Sequence, residues 1–283
     1  MLAEASSRSI CADVPYLRSD LDALFVEYSA RILGEDKLDR RPMTIRNGRA
    51  SDVPPSIECE GFELHSCPSH VVRERLEELT ADRTPLSISQ AVQDYWGETS
   101  PLIKQLSGAR AVYPIKASAV RFSTRADRKK MMTPAGWAHL DYDPQEAEVQ
   151  LRETLDLHGV KPAPFSRYIL YQCWRALSDP PQDFPLAICD GRTVRADDVV
   201  PIEYHMKTDV REVTYRSHGS RYGDHHEWWY FPEMTIDEMI VFKGFDSLLG
   251  DRLKTLHVAF KDETVENPVP RSSIETRYFA LFD

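Results

Sequence analysis

With 283 residues, 42% of them hydrophobic and 28% charged, the chain can bury a substantial core and reads as a soluble globular protein. Its formal net charge of −10 argues against general nucleic-acid binding, which asks for basic stripes. The opening MLAEASSRSICADVPYL lacks the apolar run of a secretory leader, no stretch approaches the roughly 18 apolar residues of a membrane span, and five cysteines without a CxxC fit a reduced, cytoplasmic setting.

In chain order, residues 17–34 (LRSDLDALFVEYSARILG) carry apolar residues at helical spacing and a closing Gly34, which predicts a helix. A Pro-, Arg- and acid-rich stretch comes next, with a short strand at GFELHSC. VVRERLEELTA, SISQAVQDYWGE and PLIKQLSG read as helical. From about residue 110 the character changes. ARAVYPIKASAVRFS is β-branched and partly alternating, and a basic run from Arg125 to Lys130 reads as a solvated loop. PQEAEVQLRETLDL is one clear helix with acids in its first turn. Then come SRYILYQCWRAL, FPLAICD, DDVVPIEYHM, EVTYRS, HEWWYFPE, DEMIVFKGFDS, TLHVAFKD and SIETRYFALF, short strand candidates divided by Pro, Gly and Asp. Many short strands at near-regular intervals predict a sandwich, jelly roll or barrel.

Chemistry begins at TPAGWAHLDYDP. His139 and Asp141 are two apart, which on a strand puts both side chains on one face. A His-x-acid triplet arises about once or twice by chance in a chain of this composition, so the pair needs partners before it carries meaning. Two histidines and one carboxylate on one face of Fe(II) leave three positions open, the layout of a non-haem iron oxygenase. His257 and His226 are the candidate third ligands, and spacing alone does not choose between them. The segment after His257 favours it: a strand, an acidic Pro-containing turn, and a second strand opening on Arg271-Ser272-Ser273. Arg271 with Ser273 suits a carboxylate, because the guanidinium fork grips both oxygens and the hydroxyl adds a third bond. Arg277, six residues along the same strand, is the competing anchor. Trp174 and Arg175 are candidates for a pocket holding an acidic substrate, with His226, Trp228, Tyr230 and Phe260 as further candidate pocket wall.

The blocks HLDYDP, YQCWRALSDPPQDFPLAICDGRTV, HEWWYFPEMTIDEMIVFKGFDS and HVAFKDETVENPVPRSSIETR, in this order, resemble the AsaB/CmcJ-type hydroxylase/desaturase family of microbial secondary metabolism. The resemblance covers roughly residues 110–283, and where the family carries Trp-Arg-Pro this chain has Trp174-Arg175-Ala176, on what reads as a loop edge. It implies an Fe(II)/2-oxoglutarate-dependent dioxygenase that uses O2, with His139, Asp141 and His257 on the metal and the far carboxylate of 2-oxoglutarate on Arg271 and Ser273. Succinate and CO2 would be released, and an Fe(IV)-oxo species would attack a small secondary-metabolite precursor. Hydroxylation, desaturation or oxidative ring closure, such as C–N bond formation on an amino-acid-like substrate, all fit that implication.

The expected architecture is therefore mainly β. A double-stranded β-helix (jelly-roll, cupin-like) core spans residues 111–283, and residues 1–110 form a mixed helical elaboration of the same single catalytic domain. The expected partner is a small molecule, with neither nucleic acid nor membrane and with a homodimer as a candidate assembly. From another class, a zinc-dependent hydrolase or cupin-like isomerase would use the same three ligands, but it gives Arg271 and Ser273 no task. A metal-free barrel binding an apolar ligand is the third reading.

Overall fold

Short β-branched and aromatic runs cut by Pro, Gly and Asp pair into two sheets in the computed structural model, which describes residues 8–27, 33–81, 88–116, 118–125, 133–161, 164–207 and 212–283. The chain enters as strands β1 (Ser9–Leu17), β2 (Leu24–Glu27), β3 (Leu38–Asn47) and β4 (Phe62–Ser66). Helices α1 (His70–Glu74), α2 (Leu76–Thr80) and α3 (Gln90–Ser107) come next, then β5 (Ala111–Pro114), β6 (Ala119–Phe122), β7 (His139–Leu140) and α4 (Pro144–Leu157). The remainder is strand: β8 (Arg167–Ala176), β9 (Leu186–Cys189), β10 (Val199–Lys207), β11 (Glu212–Ser220), β12 (Trp228–Tyr230), β13 (Glu238–Asp246), β14 (His257–Ala259) and β15 (Ser272–Phe282).

The larger sheet has the order β1-β3-β12-β9-β14-β7-β11-β10-β2, and the smaller has β4-β13-β8-β15-β5 with β6 also on β15. The large sheet curls. Pro15 at its edge accepts a backbone bond from Ala138 at 2.8 Å, and Leu17 bridges Arg221, so β1 returns onto β7 and β11. The two sheets face one another as a double-stranded β-helix. Strand alternation assigns each residue to a face. On the small sheet Ile169, Tyr171, Cys173, Ile274 and Tyr278 pack beneath α1, α2 and α3, together with Val72, Leu79, Val92, Tyr95 and Ile103. The alternate residues, Gln172, Trp174, Ser273, Glu275 and Arg277, point the other way, toward the large sheet. There Ala138, Leu140 and Val258 pack with Val14, Tyr16 and Trp228 on the far side, which leaves His139 and His257 on the face between the sheets. Helix α4, with Asp143 capping its first turn at Glu146 N (2.6 Å), packs Ala147 and Leu151 on Leu170, Phe279 and Leu281.

Residues 17–34 contain no helix among the described residues. Leu24 and Val26 are buried while Phe25 is 73% exposed, a two-residue alternation that pairs with β10; residues 28–32 lie outside the described set. The helical segments before and after Gly97 are one helix, α3, running through Pro101. The proline deprives Gly97 of an intrahelical partner, but Gly97 is exposed and nothing lies within 4 Å of where its side chain would start. Trp174, Arg175 and Ala176 are the last residues of β8 and are paired with β15, not a loop edge.

Candidate metal centre

His139 on β7 and His257 on β14 are direct register partners, so adjacent antiparallel strands bring their rings to 4.2 Å between centroids. Asp141 comes just after β7 and emerges on the same face. Its Oδ1 lies 3.6 Å from His139 Nε2 and 4.0 Å from His257 Nε2. The Nδ1 atoms turn away in a matched fashion. That of His139 sits 2.8 Å from the carbonyl of Trp137, and that of His257 makes a longer 3.5 Å approach to the carbonyl of Thr255, two residues upstream in each case. A carbonyl can only accept, so each Nδ1 carries the proton and each Nε2 presents a lone pair toward Asp141. Burial, with His139 alongside, pushes the His257 imidazole down to about 3, so it stays neutral. Burial alone would raise Asp141, but the Arg277 guanidinium beside it holds it well below the usual carboxylate range. Two imidazoles and a carboxylate, all buried, are a donor set that fits a divalent iron.

The second oxygen of Asp141 is held by the opposite sheet. Oδ2 accepts from Arg277 Nε at 3.0 Å and from its terminal nitrogen at 2.5 Å, and it also accepts from the Gln172 amide. Arg277 in turn reaches Glu275 at 3.3 Å, and Glu275 accepts from Arg121 at 2.8 Å. Gln172 has its place because β13 bulges at Gly244, where register shifts between Lys243 and Phe245; a side chain at 244 would run into the Gln172 amide. Sequence reading missed Gln172. Its signals were a lone amide in an apolar strand (YILYQCW) and a glycine inside the strand candidate DEMIVFKGFDS. Arg277, expected as the alternative anchor for a free carboxylate, already has two carboxylate partners in the chain.

Arg271 is in the opposite state. It is 1% exposed, and among the described residues no carboxylate lies within 4.0 Å of its guanidinium. Its Nε and one terminal nitrogen donate to Ser273 Oγ at 3.1 and 3.0 Å, and the other terminal nitrogen donates to the Phe184 carbonyl at 3.0 Å. Three of five N–H groups are engaged, which leaves one on each terminal nitrogen, the fork that fits a carboxylate. Burial, reinforced by Arg121, pushes the guanidinium down to about 10. It lies 5.0 Å from the ring centre of Trp174, whose buried indole N–H has no partner among the described residues. Trp174 also borders, with Gln172, Phe242, His257, Glu275 and Arg277, a small internal space of about 10 Å³. A larger cavity of about 640 Å³ opens next to the centre. Its walls include Trp137, against the His139 ring, Phe184, whose carbonyl meets Arg271, and Ala259 and Phe260 beyond His257. Phe260 borders this cavity while also packing on Tyr230.

The other candidates lie elsewhere. His226 does not join His139 and Asp141; its Nε2 is 3.1 Å from Asp198 and its Nδ1 is 3.2 Å from the Tyr16 hydroxyl, so it is neither third ligand nor pocket wall. Trp228 and Tyr230 belong to the apolar cluster on the far side of the large sheet, because alternation along β12 sends only Trp229 inward. Arg175 points under the helices. It donates to the carbonyls of Cys67 and Ile236 (both 2.6 Å) and to the Tyr95 hydroxyl (2.8 Å), tying the N-terminal third to β8 rather than meeting a substrate. Of the basic run, Arg125 is half-exposed and 3.8 Å from Asp183; residues 126–132 lie outside the described set.

The oxidoreductase/YMDC permease-like domain description matches residues 26–281. Hydroxylase/desaturase efuI of Hormonema carpetanum is 25% identical over 100% of this chain and 98% of its own length. Fe(II)/2-oxoglutarate-dependent dioxygenase nvfI of Aspergillus novofumigatus is 27% identical over 77% of each chain. The solved structure of the iron and alpha-ketoglutarate-dependent endoperoxidase NvfI superposes with a TM-score of 0.75 at 21% identity, covering 98% of this chain and 99% of that one, which shows a shared fold.

Proposed function

The chain belongs to the oxidoreductase/YMDC permease-like family, and on that premise we propose that it is a non-haem Fe(II)- and 2-oxoglutarate-dependent dioxygenase oxidising a small secondary-metabolite precursor. Its similarity to the efuI hydroxylase/desaturase and the nvfI dioxygenase supports this reading. The observation that carries it is a pairing. A buried His-Asp-His donor set lies between the sheets, and on the facing strand a buried guanidinium has two N–H groups to offer and no carboxylate within 4.0 Å among the described residues. A hydrolase or isomerase built on the same ligands leaves that charge unexplained.

His139, Asp141 and His257 are the metal ligands in this proposal. Their Nδ1 atoms and Asp141 Oδ2 are tied back so that only Nε2, Nε2 and Oδ1 face the ion. Asp141 would then offer an ion Oδ1 alone, its other oxygen being held by Arg277 and Gln172. When bound, ferrous iron supplies the electrons that activate oxygen. Arg271 and Ser273 hold the remote carboxylate of 2-oxoglutarate, with Trp174 as the platform beneath the guanidinium. Oxidation balances as 2-oxoglutarate, O2 and substrate C–H giving succinate, CO2 and the hydroxylated product, or a desaturated or cyclised product plus water. Trp137, Phe184 and Phe260 give the room for the substrate an apolar wall, with charged residues such as Asp13, Arg40 and Lys261 elsewhere around it. Hydroxylation, desaturation and ring closure share these parts, and the way the substrate is held selects among them. The whole chain works as one catalytic unit, with the N-terminal strands completing the sheet that carries His139 and His257. No described helix is long and apolar enough to cross a membrane.

Anaerobic loading with Fe(II) and 2-oxoglutarate, then exposure to oxygen, should release succinate from the wild type and not from His139→Ala or His257→Ala. Absence of succinate from a folded, iron-loaded wild type overturns the proposal.

A further inference from the structure

Beyond β9 and β12 from His257, a second group of donors has no part in the proposed oxidation: Asp198, at the end of the turn Ala196–Asp198, and the neighbouring His225 and His226 in the loop before β12. We propose that these three residues bind a zinc-like divalent ion that clamps this loop to the turn preceding β10.

One oxygen is the focus of the cluster. Asp198 Oδ2 is 2.9 Å from His225 Nε2 and 3.1 Å from His226 Nε2, and it also accepts the backbone N–H of Arg195 at 2.6 Å. A carboxylate oxygen has two lone pairs, and the backbone donor occupies one. The two imidazoles then compete for the other. A cation at this point removes the conflict, because Oδ2 gives it the second lone pair and both Nε2 atoms turn theirs toward it. Zinc bonds of about 2.0–2.1 Å at tetrahedral angles separate ligand atoms by about 3.3 Å, so small ring movements complete the site.

The surroundings suit ligation. His226 Nδ1 meets the Tyr16 hydroxyl at 3.2 Å and His225 Nδ1 meets Asp224 at 3.3 Å, the outer partners that orient ligating histidines. Gly223 provides the space. Its φ is not positive, so the backbone does not demand glycine, yet a Cβ there would stand 2.9 Å from His225 Nε2 and 3.0 Å from His226 Nε2. The His226 side chain is fully buried, while His225 is 20% exposed and gives an ion a way in. Two imidazole nitrogens and one carboxylate oxygen select a zinc-like ion over calcium or magnesium, with water as the fourth ligand.

The competing arrangement is His225 hydrogen-bonded between Asp198 and Asp224 with no metal. Zinc titration of the metal-stripped full chain separates the two, read by calorimetry and by metal analysis after desalting. The His139→Ala chain, crippled at the first centre, should still retain one zinc per chain, and His225→Ala or Gly223→Ala should weaken that binding on the order of 100-fold. In the wild type, Co(II) should give the intense visible bands of a tetrahedral site, and these should vanish in His225→Ala while the chain stays folded by circular dichroism. Should His139→Ala not fold, the same loss is read as a fall from two metals per wild-type chain to one in His225→Ala. Zinc retained unchanged in His225→Ala, or no tetrahedral cobalt spectrum in the wild type, overturns the proposal.

Discussion

Replacing Arg271 by methionine separates co-substrate binding from folding. The guanidinium makes three hydrogen bonds inside the chain, two to Ser273 Oγ and one to the Phe184 carbonyl, but meets no carboxylate among the described residues. Methionine has a similar volume and fills the space over Trp174. Loss of the three bonds is offset by removal of a buried charge, and such exchanges are often neutral or stabilising. Without 2-oxoglutarate, the variant should therefore unfold within about 1 kcal/mol of wild type. With 2-oxoglutarate the two should diverge. Two charge-assisted bonds at about 1.5–3 kcal/mol each are lost, so affinity should fall by about 10²–10⁴-fold. A ligand at 100 times its Kd stabilises its protein by about 2.7 kcal/mol, roughly 5–10 °C in Tm for a chain of this size. Thermal unfolding of the Mn(II)-loaded protein with and without 2-oxoglutarate reads both effects. Wild type should show that rise and Arg271→Met should not. An equal rise in both proteins, or collapse of the variant without ligand, refutes the reasoning.

Other contacts in the site and around it make further predictions. Arg277→Met leaves Asp141 buried without its cation; stability should drop by about 3–5 kcal/mol in chemical denaturation, and metal affinity by about 10–100-fold, with Arg277→Lys recovering only part. Unchanged metal affinity in a folded Arg277→Met chain counts against the role assigned to Asp141 Oδ2. Gly244→Ala should push the Gln172 amide off Asp141 and weaken metal binding about tenfold, measurable by Co(II) competition. Burial alone would raise Asp246, but its hydrogen bonds with Arg167 win and its carboxylate titrates below the usual range. A depressed acid stabilises the fold above the unfolded pKa of about 4 and ceases to do so as pH falls through the native value. The Tm gap between wild type and Asp246→Asn should accordingly be open at pH 7 and close below about pH 4; a gap independent of pH contradicts this.

The strands after residue 110 were legible because each is a short apolar run bounded by Pro, Gly or Asp, and their alternation placed Arg271, Ser273 and Arg277 on one face. The first strands were hidden. Within residues 17–34, Leu17, Leu21, Leu24 and Tyr28 fall at helical spacing, while the two-residue alternation of β2 lasts only four residues and is fixed by pairing with β10. β1 carries Pro15 and β3 carries Pro42, residues that argue against strands in general. Both are tolerated here because β1 is an edge and β12 pairs only with Ile45–Asn47 of β3. In the site, the roles of Arg271 and Arg277 could not be ranked from spacing. They differ in which carboxylates the opposite sheet brings to them, and that is a property of packing alone. The place of His226, the alternative third ligand, was open for the same reason, since a histidine beside β12 faces whichever side the loop leaves it on.

The most direct measurement of the account is an anaerobic titration of Fe(II)-loaded protein with 2-oxoglutarate, monitored by visible absorption. Saturable growth of a charge-transfer band at one equivalent per chain is predicted, abolished in His257→Ala and shifted to far higher concentration in Arg271→Met. A wild-type chain that binds iron yet develops no such band contradicts the account.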